Sequence, residues 1–121
     1  MNELKKFRAW DKIDKEMFTP ILLSFPFGEN RIIVSGRGGS TDTKNDDCIL
    51  MQFTGLLDKN GKEIFEGDIN ANDNNRKSEV VFYSGGFYLK YSRTEYKAIG
   101  SFAPFDLNII GNLYENPELL K

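Results

Sequence analysis

The stretch that most limits what this chain can become runs from Met51 to Ile69. Two apolar-rich runs, Met51-Gln52-Phe53-Thr54-Gly55-Leu56-Leu57 and Glu63-Ile64-Phe65, flank Asp58-Lys59-Asn60-Gly61-Lys62. Asn and Gly tolerate the positive φ that a tight reversal needs, so Asn60 and Gly61 set a β-hairpin. Glu66-Gly67-Asp68 then closes the second run. Gly67 is expected to supply a kink or bulge, while Asp68 accepts from nearby N–H groups or from a cation such as Arg8.

Further strands are legible on both sides. Lys6-Phe7-Arg8-Ala9-Trp10 alternates as a strand, and Asp11-Lys12-Ile13-Asp14-Lys15 is a charged turn leading to Met17-Phe18, which makes a first hairpin. Pro20, Pro26 and Gly28 punctuate the apolar stretch 21–27 too closely for a helix. Arg31-Ile32-Ile33-Val34-Ser35 is a β-branched strand, and residues 36–47 read as a polar loop, as do residues 70–78. Glu79-Val80-Val81-Phe82-Tyr83 and Phe87-Tyr88-Leu89-Lys90-Tyr91 form another hairpin that reverses at Gly85-Gly86. Residues 92–108 are poorly patterned, Leu107-Asn108-Ile109-Ile110 is a last strand, and Asn116-Pro117 opens a terminal turn through Leu120.

The expected fold is therefore mainly β: a small bent sheet or partly open barrel built from hairpins, with a short C-terminal helical turn. Residues 1–121 read as a single domain, and a division into an N-terminal lobe 1–47 and a C-terminal β lobe 48–121 stays open. Ten Phe residues predict a core filled by rings.

Histidine is absent, which removes a Ser-His-Asp triad, a Cys-His pair within the chain and a His-ligated catalytic zinc. The one cysteine, Cys48, excludes an intramolecular disulfide, fits a reducing compartment and reads as a small buried hydrophobe. A net charge of −2 gives no footprint for coating a duplex. The amino terminus runs into Phe7 without an apolar signal core, and no run reaches membrane-spanning length. The expected location is the cytoplasm, with no membrane partner.

Three blocks carry a family resemblance. Phe7-Arg8-Ala9-Trp10-Asp11, the hairpin 51–69, and Ile110-Gly111-Asn112-Leu113-Tyr114-Glu115-Asn116-Pro117-Glu118-Leu119-Leu120 occur in one order and reach from the first strand to the last residues. Together they resemble the YopX-like family of phage and prophage proteins. The resemblance implies a mainly β fold, a bacterial host cell and self-association. It implies no activity, because no catalytic residue of the family is available to carry over. Arg8, Gly55, Asn60, Gly61, Gly67, Asp68, Gly111 and Asn112 stand out as a structural motif. Residues 36–47 and 92–108 match nothing in the family pattern.

Several stretches bear chemistry. Asp68, Asn70, Asn72 and Glu79 have EF-hand spacing, but Asp73 stands where the turn glycine belongs and strands flank the loop. Gly36-Arg37-Gly38-Gly39-Ser40-Thr41 resembles a phosphate cradle, yet Lys44 is misplaced and no helix follows. Phe82 to Arg93 interleaves rings with Lys and Arg. Phe87, Leu89 and Tyr91 are expected on a core face, leaving Tyr88 and Lys90 on the other. Trp10, Tyr88, Lys90 and Arg93 are the candidate interaction residues, with Trp10 equally readable as a core ring.

No catalytic residue, cofactor or metal is assigned. The leading expectation is an accessory protein of phage or prophage type, working through contacts with an unidentified protein partner and as a homo-oligomer. The alternative is a single-strand nucleic-acid binder using the hairpin 82–93, and the remote one a metal-dependent hydrolase.

Overall fold

Antiparallel hairpins build the chain, as its turn chemistry predicts. The structure is a computed structural model and describes residues 7–20, 22–24, 33–36, 39–42 and 48–120. It is mainly β, with one sheet curled into a half-barrel, another open, and short 3-10 turns near the C-terminus. Packing divides it into two compact units, Met1–Gln52 and Phe53–Lys121.

In the first unit, β1 (Phe7–Asp11) pairs with β2 (Glu16–Phe18), with Ala9 opposite Phe18. Asp11 Oδ1 accepts the N–H groups of Ile13 and Asp14 at 2.9 and 3.1 Å, which closes the charged turn. Next, β3 (Leu22–Ser24), β4 (Ile33–Gly36) and β5 (Gly39–Asp42) form a three-stranded antiparallel sheet. The expected loop 36–47 thus contains a strand, because Gly39–Asp42 pairs its backbone with Ile33–Gly36 rather than relying on apolar side chains. Arg31, Ile32 and residues 25–27 and 43–47 lie outside the described residues. The first half of β6 (Cys48–Leu57) runs against β1, from Asp11 opposite Cys48 to Phe7 opposite Gln52. Ala9, Val34 and Cys48 are buried together, flanked by Phe18, Leu23 and Leu50.

In the second unit, the rest of β6 pairs with β7 (Glu63–Phe65) across the predicted turn. The register slips between Phe53 and Leu57, and Gly55 takes φ +87° at that bulge. At the tip only Gly61 has positive φ; Asn60 instead donates its N–H to Asp58 Oδ1 at 2.9 Å. A five-stranded sheet follows in the order β11-β10-β9-β8-β12. Its strands are β8 (Asp68–Ala71), β9 (Lys77–Tyr83), β10 (Gly86–Lys90), β11 (Tyr96–Ala98) and β12 (Ile109–Asn112).

Of residues 70–78, expected as a loop, Asn72 to Arg76 form the connection, while Asn70 and Ala71 belong to β8 and Lys77 and Ser78 to β9. Asn70 belongs to the fully buried β8 because its amide is satisfied: Oδ1 accepts Asn108 N–H at 2.7 Å. The reversal after β9 falls on Ser84-Gly85, with φ +49° and +82°, one residue earlier than expected. Gly86 is a strand residue opposite Tyr83. Positive φ at both turn positions gives the twist that matches the flanking strands.

The core departs from the expected ring-filled interior. Ile64, Val80, Leu89, Ile99, Leu107 and Ile109 form its centre, while Phe87, Tyr91 and Phe102 pack partly buried around them. Branched aliphatics close-pack at the centre, and the rings pack against them from partly buried positions. Each fully buried Ile or Leu contributes about 1.5–3 kcal/mol. Pro117–Leu120 forms the predicted terminal turn.

Candidate binding face

The strand register decides which side chains share a surface. Pairing of Tyr83 with Gly86, Val81 with Tyr88 and Glu79 with Lys90 sets these residues on the face opposite the buried Val80–Leu89 pair. On β11, Tyr96 lies opposite Lys90 and Ala98 opposite Tyr88, so Tyr96 joins the same outer face. The three tyrosines meet there. Tyr83 stacks on Tyr96 with centroids 5.5 Å apart and planes 22° apart, and meets Tyr88 edge-to-face at 6.3 Å. Lys90 Nζ lies 5.9 Å from the Tyr96 ring centroid. Tyr83 is 60% exposed and Tyr96 37% exposed.

Beside the rings is a cleft of about 240 Å³ lined by Lys77, Glu79, Lys90, Tyr91, Ser92, Arg93 and Leu120. Glu79 is half-buried; desolvation raises its pKa, and the Lys90 charge only partly offsets the rise. A second cleft, about 330 Å³, is lined by Asn70, Asn72, Asp73, Tyr91, Lys97, Phe102 and Asp106. Near it, Arg76 sits 4.4 Å from the Tyr91 centroid and forms a two-point pair with Glu95. Lys97 also approaches the Tyr91 ring, at 5.4 Å.

The sequence-predicted residues divide. Tyr88, Lys90 and Arg93 come together on or beside the outer face. Trp10 is 8% exposed on β1, a buried ring. Leu89 is fully buried, with Phe87 and Tyr91 packed against its cluster. Sequence reasoning missed Tyr83 and Tyr96 as exposed partners. Alternation from Tyr88 back through the turn was the available signal for Tyr83, whereas Tyr96 lay in the unpatterned segment.

The structural residues have definite duties. Asp68 is buried and accepts Phe65 N–H through Oδ2 at 2.8 Å, while Gly67, at φ +87°, donates to Val80 O and accepts from Leu113. Arg8 is half-buried on β1. Gly111 packs against Asn116 and Leu119. Asn112 Oδ1 accepts the N–H groups of Tyr114 and Glu115, and its Nδ2 donates to Glu115 Oε1.

The EF-hand spacing does not become a cation loop. Asp68 and Asn70 share one face of β8, while Glu79, opposite Ile69, lies on the other. Asn72 Oδ1 instead accepts the N–H groups of Asn74 and Arg76 in a turn. Among the described residues, no group of three or more Cys, Asp or Glu is placed to hold a metal ion. Gly36 and Gly39 are opposite one another in the β4–β5 pair, so the cradle-like stretch includes a strand pairing. Cys48 is buried and free, and desolvation, then the Asp11 charge, push its thiol up to about 11. It stays protonated at neutral pH. Among the described residues no helix is long and apolar enough to cross a membrane.

Fold and surface together define a mainly β protein that bears, among the described residues, a tyrosine-rich sheet face. The family follows from comparison: a model described as YopX protein matches residues 6–121, and the chain belongs to that family. The protein EF1440 from Enterococcus faecalis is similar in structure, with TM-score 0.70, 32% identity, and 96% of this chain and 97% of that one covered. The protein yopX from Bacillus subtilis shares the fold at TM-score 0.60 and 24% identity, with 95% of each chain covered. No curated protein matches.

Proposed function

We propose that this chain is a non-catalytic accessory protein of a phage or prophage, acting through contacts made by the outer face of β9, β10 and β11. The observation that carries this reading is the cluster in which Tyr83 meets both Tyr88 and Tyr96 on a solvent-facing sheet surface. Rigid rings bring large contact area at low entropic cost and are enriched at protein interfaces. Protein partners, including further copies of the chain, are the first reading.

The test is affinity capture from prophage-carrying bacteria, using the whole chain and a Tyr83→Ala/Tyr96→Ala variant of unchanged melting temperature. Material held by the parent and lost from the variant supports the reading; identical retention by both removes it. Cations beside the rings favour a second reading, a single-stranded nucleic acid.

A further inference from the structure

We infer that the tyrosine face also takes a single-stranded nucleic acid, an inference that rests on this face being the binding surface. The first argument is charge. Residues 76–97 hold Arg76, Lys77, Lys90, Arg93 and Lys97 against Glu79 and Glu95, five cations against two carboxylates, a surplus of +3. The whole chain carries −2, so the remainder carries −5. Within this stretch Lys77, Lys90 and Arg93 against Glu79 line the cleft beside the rings, while Arg76 and Lys97 lie by Tyr91 with Glu95. An anionic occupant complements that surplus.

Availability is the second argument. Glu95 is engaged by Arg76 and lies 3.9 Å from Lys97, so it does not oppose the outer cleft. That cleft sets Lys77, Lys90 and Arg93 around one half-buried carboxylate, Glu79. Lys90 belongs both to the cleft and to the ring cluster, through its contact with Tyr96. Cations and rings therefore form one continuous surface.

Ring geometry supplies the third. A single strand presents unstacked base faces and a flexible phosphate chain, which suit exposed rings flanked by a cationic cleft. A duplex keeps its base faces stacked inside. Bases stack on Tyr83 and Tyr96, and phosphates follow Lys90, Lys77 and Arg93. Stacking reads no particular base, so binding is tolerant of sequence.

Fluorescence anisotropy of a labelled oligothymidylate of about fifteen nucleotides, titrated with the whole chain, tests this. Saturable binding at about 50 mM salt is expected, with log K falling against log salt at a slope of about −2 for three neutralised phosphates. Tyr83→Ala is expected to weaken binding roughly 5- to 160-fold with little change in melting temperature. Lys90→Gln is expected to make the slope shallower by about 0.7.

No binding at low salt overturns the inference, as does binding indifferent to both substitutions, or equal binding of a duplex. If the oligonucleotide fails while a tyrosine-dependent protein is captured from cells, the nucleic-acid assignment falls and the binding face stands. If neither is held, both fall.

Discussion

Asp58 offers the sharpest test of how the hairpin is fastened. Its side chain is 3% exposed, and both oxygens are occupied. Oδ1 accepts the N–H groups of Asn60 and Lys62, each at 2.9 Å, and Oδ2 accepts that of Ile109 at 3.0 Å. Lys59 N–H donates to Leu107 O at 2.9 Å alongside. The carboxylate therefore shapes the turn and pins it to the start of β12. Replacement by Ala leaves three N–H groups without this acceptor. A hydrogen bond to a charged group contributes about 1.5–3 kcal/mol, but water reaches the exposed turn and recovers part of two of them. The expected loss is about 3–5 kcal/mol.

For 121 residues, an unfolding entropy of about 2.1 cal/mol/K per residue turns that loss into a melting-temperature drop of about 12–20 °C. Asp58→Asn keeps one oxygen and is expected to cost about half as much, since its NH₂ must face one set of donors. Burial opposes ionisation, yet the three backbone donors and the Lys62 charge outweigh it and hold the carboxyl below its ordinary value. A lowered folded-state pKa gives stability that is complete above the ordinary value of 3.8 and is lost as pH falls through the folded value. Parent and Asp58→Ala melting temperatures should thus converge in acid. Scanning calorimetry from neutral pH downward, with exposed Asp14→Ala as control, checks this. A neutral-pH loss below about 1 kcal/mol, or a gap independent of pH, would refute the reasoning.

Three other outcomes are expected. A Cβ on Gly111 would lie 2.6 Å from Asn116 Oδ1 and 2.9 Å from Leu119 Cδ1, so Gly111→Ala should cost about 1–3 kcal/mol in urea denaturation. Adding Asn116→Ala should recover part of that loss, a coupling that a double-mutant cycle reads. The Cys48 thiol, raised to about 11 from 9.0 by desolvation and Asp11, gives stability that is complete below pH 9 and lost as pH rises toward 11. Cys48→Ala should flatten that alkaline decline in thermal scans. Glu79→Gln should raise the melting temperature at pH 7 and have less effect near pH 4, because desolvation raises the carboxyl's pKa despite Lys90.

What could be read in the residues was local. The hairpin at Gly61 was legible because turn chemistry acts within a few residues, and so was the Asp11-to-Lys15 turn. β5 escaped because Gly-Ser-Thr-Asp is turn-like in composition and becomes a strand only when β4 offers its backbone. β11 escaped for a similar reason: its three exposed residues gain strand form from β10 alone. The tyrosine cluster needed the sheet order as well, because Tyr96 reaches Tyr83 only after β11 has paired beside β10. Asn70 shows the opposite limit. Its polarity suggested a loop, while a partner 38 positions away made it part of a buried strand.

The Asp58 clamp also sets an order on synthesis. Its Ile109 donor lies 51 positions downstream, so when the hairpin leaves the ribosome its carboxylate has only local donors. The tip is completed when the final segment emerges and supplies Leu107 and Ile109 to it. A product cut short before residue 107 would keep a well-formed β-turn with nothing to fasten it, and quality-control proteases would meet it as an unfinished protein.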